Sequence, residues 1–285
     1  MVVQGDTSSA LGGALAATEL GIALAHVEAG LRTYDPNMPW PEEENRVTID
    51  RVADLLFAPT SANAANLRRE AARGQIHVTG NSGIDALTAL VGPLPVRPRR
   101  RWLPRRRFRL LVTCHRRENW GSQLDQLVKA LIHLGRRNVQ SRLVLPPNPT
   151  VSERLTALCN DIAAIDLVPP LSHAAIIEAM READLLLSDS GGMQEEAPSL
   201  GVPLLVLREK TERPEALATD NCRLVGTDAE NIIEMVELLR NDRTELRSMS
   251  KPSMPFGDGK ASPRIVRHCL AFLANRIALA ESYRA

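Results

Sequence analysis

Aromatic side chains are scarce: Phe, Tyr and Trp make up 3% of the 285 residues. That argues against the stacking platforms on which single-strand nucleic-acid binders seat their bases. Cysteine is scarce too. Cys114, Cys159, Cys222 and Cys269 are scattered, with no Cys-x-x-Cys pair. This favours reduced thiols in a cytoplasm over a disulfide frame or a zinc site. No apolar run approaches the roughly 18 residues of a membrane span. The opening MVVQGDTSSA lacks the basic start and apolar core of a secretory signal. The formal net charge of +1 provides no global field toward nucleic acid or membrane. Neither the glycine fingerprint of dinucleotide sites nor the Walker phosphate loop is present.

What is present is ordinary globular composition, 44% hydrophobic and 24% charged. The length suits one large or two ordinary domains. Short apolar strands alternate with amphipathic helices. VVQG reads as a strand, SSALGGALAATEL as a helix capped by Thr7 or Ser8, IALAHVE as a strand and PEEENRVTIDRVA as a helix. DLLFAPT, SANAANLRREAA, QIHVTG and a helix over 84–91 follow. Beyond residue 108 come RLLVTC, LDQLVKALIHLGRR, RLVLP, SERLTALCN, DLVPP, DLLLSD, VPLLVL and CRLVG, then helices AENIIEMVELLRN and PRIVRHCLAFLANRIAL. Such alternation predicts an α/β fold of parallel sheets covered on both faces. Two Rossmann-like domains are expected, with a site in the cleft between them. The first is incomplete, with about three strands against about six. The boundaries read as 1–95 for the partial first domain, 96–108 for a linker and 109–260 for the second domain. A C-terminal helix over 261–285 is a candidate to cross back to the first. Eight arginines lie between Arg97 and Arg109. Interleaved with Pro98 and Pro104, they read as a solvated linker in preference to a nucleic-acid patch.

Ligands of doubly wound folds bind at the carboxyl ends of strands. The polar residues there are lopsided. Asp6, Glu28 and Glu42 to Glu44 fall in the first block. His115, Arg116, Arg117, Ser188, Asp189, Ser190, Arg208, Glu212 and Arg213 fall in the second. A nucleoside diphosphate needs backbone N–H groups and cations. A proton moved at a sugar carbon needs carboxylates. A nucleotide-sugar enzyme therefore fits better than a dehydrogenase. In SDSGGMQEEAPSLG, Ser190, Gly191 and Gly192 would bring a helix N-terminus to a diphosphate. Glu196, over a turn further on, would accept ribose hydroxyls. The alternative is a capped helix with surface glutamates. Asp6 likewise reads also as a helix cap, Glu28 as a partner of Arg32, and Glu42 as a helix-start acid. His26, His133 and His268 sit in apolar or helical surroundings and read as structural.

The stretches QGDTSSALGGALAA, HVEAGLRTYD, PWPEEENR, TGNSGIDA, HRREN, SDSGGMQEEAPSLGVPLLVLREKTERPEA and GDGKAS stand here in order. Together they resemble the non-hydrolysing UDP-N-acetylglucosamine 2-epimerase family, from about Val2 into the C-terminal helix. The resemblance implies a GT-B-like fold and reversible conversion of UDP-GlcNAc to UDP-ManNAc without NAD or metal, in a cytoplasmic homodimer. It implies anti-elimination of UDP to 2-acetamidoglucal and re-addition with inversion at C2. It assigns the catalytic carboxylates to Asp6, Glu28 and Glu42, and leaves open which does what. It puts Ser190, Gly191 and Gly192 on the diphosphate and Glu196 on the ribose, with His115, Arg116 and Arg213 as further substrate-binding residues.

Two departures stand out. The family opens with a strand and a GTRPE-like arginine loop, whereas this chain opens near QGDT. The family also carries a histidine just before an Asn-Pro turn, and LVLPPNPTV, Leu143 to Val151, has none. The expectation is a truncated chain of reduced stability, or one that associates. Its activity has three alternatives: an inactive UDP-sugar-binding remnant, a hydrolysing relative that releases ManNAc, and a GT-B glycosyltransferase.

Overall fold

A computed structural model describes residues 1–94, 107–116 and 119–282. Most of the arginine–proline stretch lies outside the described residues. The chain forms two compact units, Met1–Ala89 with Phe256–Ala285, and Leu90–Pro255.

In the first unit β1 (Val2–Gln4), β2 (Ala25–Val27), β3 (Leu55–Ala58) and β4 (Gln75–Val78) form one sheet in that spatial order, all parallel. There are thus four strands where about three were expected. The run IALAHVE yields only three strand residues, because Glu28 turns out of the ladder at φ +72°. Helix α1 (Ser8–Glu19) packs closely on the sheet through buried Ala10, Ala14 and Ala17. A Cβ on Gly13 would stand 3.3 Å from Val3 Cγ1, so the small residues set that spacing. The side chain of Thr7 caps α1 by accepting from the Ala10 N–H. Helix α2 (Glu42–Val52) opens with three glutamates at the positive end of its dipole. Helices α3 (Ser61–Arg69) and α4 (Ser82–Val91) complete the connections.

The other face of this sheet is covered by the last helix, α12 (Ala261–Ser282), whose Ala261 and Ile265 join Ala25, Val27, Leu55 and Phe57 in one core. His268 of α12 stacks on His77 of β4, with ring centroids 3.8 Å apart. Burial, and then the neighbouring His268, push the His77 imidazole below its ordinary value of 6.5. The unfolded chain therefore takes up its proton first as pH falls. Stability carried here is complete above about pH 6.5 and declines below it. The unfolding midpoint is expected to drop between pH 7.5 and 5.5, and His77→Phe to flatten that drop. Equal slopes in the two proteins, followed by circular dichroism, would contradict this.

The second unit has six parallel strands in the order β10-β9-β8-β5-β6-β7. They are β5 (Phe108–Thr113), β6 (Val139–Val144), β7 (Ile165–Val168), β8 (Leu185–Ser188), β9 (Leu204–Val206) and β10 (Cys222–Leu224). From β5 the chain proceeds outward through β6 and β7. It then returns to β5's other side and proceeds outward through β8, β9 and β10. The switch point thus lies between β5 and β8, where loops part and leave a crevice in this class of sheet. Helices α5 (Ser122–Arg136), α6 (Pro149–Cys159) and α10 (Ala229–Asn241) bury apolar faces against it, leucine-rich in α5. Asn148, in the turn that lacks the expected histidine, caps α6 by accepting from the N–H groups of Thr150 and Val151. A helix α7 (His173–Glu182), not foreseen between DLVPP and DLLLSD, is capped by Ser172 and buries Ile177 and Met180. Helix α8 (Gly191–Leu200) follows β8. The short helices α9 (Pro214–Leu217) and α11 (Arg243–Ser248) complete the set.

Candidate active site

In the first unit the sheet's carboxyl edge carries the acids. Gln4 of β1 is registered with Val27 of β2. Asp6 lies two residues past that pair and Glu28 one residue past it. Gly5, at φ +70°, turns the chain between Gln4 and Asp6, and a Cβ placed on it would be 3.8 Å from Glu28 Oε2. Glu28 itself holds a left-handed backbone, a costly conformation for a non-glycine residue that persists where surroundings over-determine it. Its N–H and that of Ala29 both donate to the Phe57 carbonyl.

Asp6 is not the cap of α1, since Thr7 takes that role. Its carboxylate instead receives Nε of Arg46 at 3.1 Å, and Nη2 of the same guanidinium. Asn45 Nδ2 donates to the Asp6 carbonyl at 2.8 Å. Arg46 also donates to Glu43, 3.0 Å away, whose other oxygen accepts from the N–H groups of Thr33 and Tyr34. Glu42, half-buried at the first position of α2, is therefore mounted on the helix that grips Asp6. Arg32 is engaged by Asp50 at 2.8 Å and by Glu70 at 2.6 Å. Arg46 escaped the sequence reading, and Glu43 was read only as one of the acids after Trp40-Pro41, without its partner. The i, i+3 spacing of an acid and a base inside PEEENR is the signal that could have found them.

In the second unit the predicted residues flank the switch point. Thr113 and Ser188 are registered neighbours on β5 and β8, and their hydroxyls meet at 2.6 Å. Beyond them lie His115 and Arg116 on one side and Asp189 and Ser190 on the other. Asp189, fully buried, organises the loop after β5. It accepts from the N–H groups of His115 and Arg116 at 3.0 and 2.9 Å, and from Asn119 Nδ2 at 2.9 Å. His115 Nδ1 stands 3.0 Å from it. Burial raises this carboxyl, but the His115 ring and the N–H donors outweigh it and leave the group below the usual carboxylate range. Residues 117 and 118 lie outside the described residues.

Ser190 caps α8 by accepting from the Met193 N–H. The two glycines behind it differ. A Cβ on Gly191 would meet the Arg213 guanidinium at 2.7 Å, whereas one on Gly192 would meet only Ser190 Oγ, at 3.9 Å. The first glycine admits Arg213, and the second leaves the helix start open to close approach. Arg213 donates through Nε to Glu195 at 2.5 Å and through Nη1 to Glu212. Glu212 is shared with Arg208 at 2.9 Å and Arg116 at 3.4 Å. Glu195 and Glu196, adjacent in sequence, point about 100° apart on the helix. Glu196 turns to His173, whose Nε2 is 2.6 Å from its Oε1. Burial pushes the Glu196 carboxyl up, and His173 offsets that only in part. Neither glutamate is a solvated surface residue: their exposures are 5% and 9%. His173 was not singled out in the sequence, and Glu195 and Glu212 were given no role at the site. Their pairing depends on loops that sequence spacing does not bring together.

No helix among the described residues is long and apolar enough to cross a membrane. A sequence model for UDP-N-acetylglucosamine 2-epimerase matches residues 1–270. The UDP-N-acetylglucosamine 2-epimerase of Escherichia coli K12 is 39% identical over 290 residues, which cover 98% of this chain and 76% of that protein. The crystal structure of UDP-GlcNAc 2-epimerase from Neisseria meningitidis, bound to UDP-GlcNAc, superimposes with a TM-score of 0.86 at 35% identity. That match covers 95% of this chain and 76% of that one. The S. aureus MnaA–UDP structure gives a TM-score of 0.88 at 35% identity, covering 96% and 74% respectively. The parallel sheets are those of a GT-B-like fold, and the match of 270 residues places the chain in the UDP-N-acetylglucosamine 2-epimerase family of isomerases.

Proposed function

We propose that this chain interconverts UDP-N-acetylglucosamine and UDP-N-acetylmannosamine by inverting C2, with the second unit holding the nucleotide and the first moving the proton. The C2–H bond breaks and its electron pair forms the C1=C2 bond of 2-acetamidoglucal. The C1–O bond to UDP breaks in the same elimination. Re-addition returns the UDP oxygen to C1 and brings a proton to the opposite face of C2. No net oxidation occurs, so acid–base groups and a diphosphate cradle suffice as protein machinery.

The observation that carries this reading is the mounting of Asp6. It is a carboxylate at a strand's carboxyl end, held by Arg46 on the helix that begins with Glu42 and set beside the strained Glu28. Asp6, Glu28 and Glu42 are assigned to the proton transfers and leaving-group assistance. Ser190, Gly191 and Gly192 are assigned to the diphosphate and Glu196 to the ribose hydroxyls, while His115, Arg116 and Arg213 line the anion-binding end. The homodimer expected by resemblance belongs to the same proposal.

The test is incubation of the purified protein with UDP-GlcNAc in D2O, with C2 followed by NMR. Deuterium entering C2 as UDP-ManNAc appears is the expected result. Free ManNAc in place of UDP-ManNAc would make the chain a hydrolase. UDP binding without exchange would leave a binding remnant.

A further inference from the structure

We infer that His26 is a positioning residue that fixes the Asp6 and Glu28 loops in one register, an assignment that rests on the catalytic reading of those acids. His26 lies mid-strand in β2, paired to Val3 on one side and Leu56 on the other, with no exposed surface. It touches no solvent and so cannot touch substrate. Its two ring nitrogens nevertheless reach different loops.

Nε2 is 2.9 Å from the carbonyl oxygen of Gly5. A carbonyl can only accept, so the ring donates there. That carbonyl belongs to the Gly5–Asp6 peptide, so the bond fixes the plane from which Asp6 emerges. Nδ1 is 2.6 Å from Asp50 Oδ1. The other Asp50 oxygen accepts from the Gly30 N–H at 3.1 Å and pairs with Arg32 at 2.8 Å. Gly30 is two residues from Glu28. One continuous chain of hydrogen bonds thus runs from the Asp6 peptide through His26 and Asp50 to the Glu28 loop.

A second route links the same loops outside this one, through Asp6, Arg46, Glu43 and the Thr33 and Tyr34 N–H groups. Asp50, Arg46 and Glu43 all project from α2. The strained φ of Glu28 needs such over-determination to persist. An apolar residue at position 26 would satisfy the core but leave the Gly5 carbonyl and Asp50 short of a buried partner. A histidine serving packing alone has no need to bridge two loops at the sheet's carboxyl edge.

His26→Asn reproduces the Nδ1 contact and loses the Gly5 contact. His26→Gln extends far enough to keep the Gly5 contact. Asn is expected to lower kcat and C2 deuterium exchange by about 10²-fold, the size of a misplacement on the order of 1 Å. KM and UDP affinity should stay within about threefold, because diphosphate and ribose are assigned to the second unit. Gln should recover part of kcat. Amide hydrogen exchange of the full chain supplies a readout independent of turnover. In the Asn variant, which loses the Gly5 contact, the peptide over 4–7 should exchange faster by about tenfold, and in the Gln variant, which loses the Asp50 contact, the peptide over 28–32 should do so.

Wild-type kcat in His26→Asn, or unchanged exchange over 4–7 in the Asn variant and over 28–32 in the Gln variant, would overturn the assignment. A wild-type protein without C2 exchange would overturn the catalytic reading instead, and the amide exchange of the two variants would still decide the link. Should His26→Asn not fold, Asp50→Ala, which removes both carboxylate oxygens, severs the chain between His26 and Gly30, and faster exchange over 28–32 with lowered kcat is expected, unchanged values of both overturning the assignment.

Discussion

Asp6→Asn is expected to lower kcat for epimerisation by about 10²- to 10⁴-fold, the range a single general acid or base contributes. The amide keeps the shape of the side chain and an oxygen for Arg46, which also retains Glu43 at 3.0 Å. The fold should therefore survive, and the loss should fall on proton transfer. UDP affinity, measured by calorimetry, should change by less than about threefold, since Asp6 and the UDP-assigned residues belong to different compact units. Glu28→Gln and Glu42→Gln, run beside it, separate the roles. A variant lacking the C2 base blocks deuterium entry from UDP-GlcNAc. One that fails in re-addition releases 2-acetamidoglucal and UDP. If Asp6→Asn turned over at the wild-type rate, Asp6 would be no more than an anchor for α2.

How much of this was legible beforehand follows the range of the interactions. Strand and helix alternation is local, and it predicted both parallel sheets from apolar runs and caps such as Thr7. The cap resolved one ambiguity: with Thr7 bonded to the Ala10 N–H, Asp6 was left for Arg46, forty residues away in sequence. No spacing rule reaches that far. His26 read as a core histidine because its burial was predictable and its partners, Gly5 and Asp50, were not. The adjacent glutamates behind the Gly-Gly turn show the same limit. The helix was expected, but which acid faced Arg213 and which faced His173 was set by loops after β9 and β7. The edge strand Gln75–Val78 was legible as QIHVTG although its residues are half-buried or exposed; the count of about three strands fell one short of the four runs VVQG, IALAHVE, DLLFAPT and QIHVTG.

Arg213→Met should be strongly destabilising to the second unit. The guanidinium is 9% exposed and bonds Glu195 and Glu212, whose side chains are 6% and 1% exposed. Glu212 keeps Arg208 and Arg116. Glu195 would lose the cation that lies 2.5 Å from it. Removing one member of a buried ion pair costs about 3–5 kcal/mol. At roughly 2–4 °C per kcal/mol for a domain of this size, the unfolding midpoint should fall by roughly 6–20 °C. UDP affinity should fall with it, because the same guanidinium packs on Gly191 at the start of α8. Adding Glu195→Leu to Arg213→Met removes the other member of the pair, and replacing both members of a buried pair with apolar groups is often close to neutral. The double variant should therefore regain most of the lost midpoint and none of the lost UDP affinity. Calorimetry on the two variants distinguishes the contributions. Recovery of stability alone would separate Arg213's electrostatic duty to the fold from its duty to the diphosphate. A double variant as unstable as the single would instead place the loss in packing against Gly191.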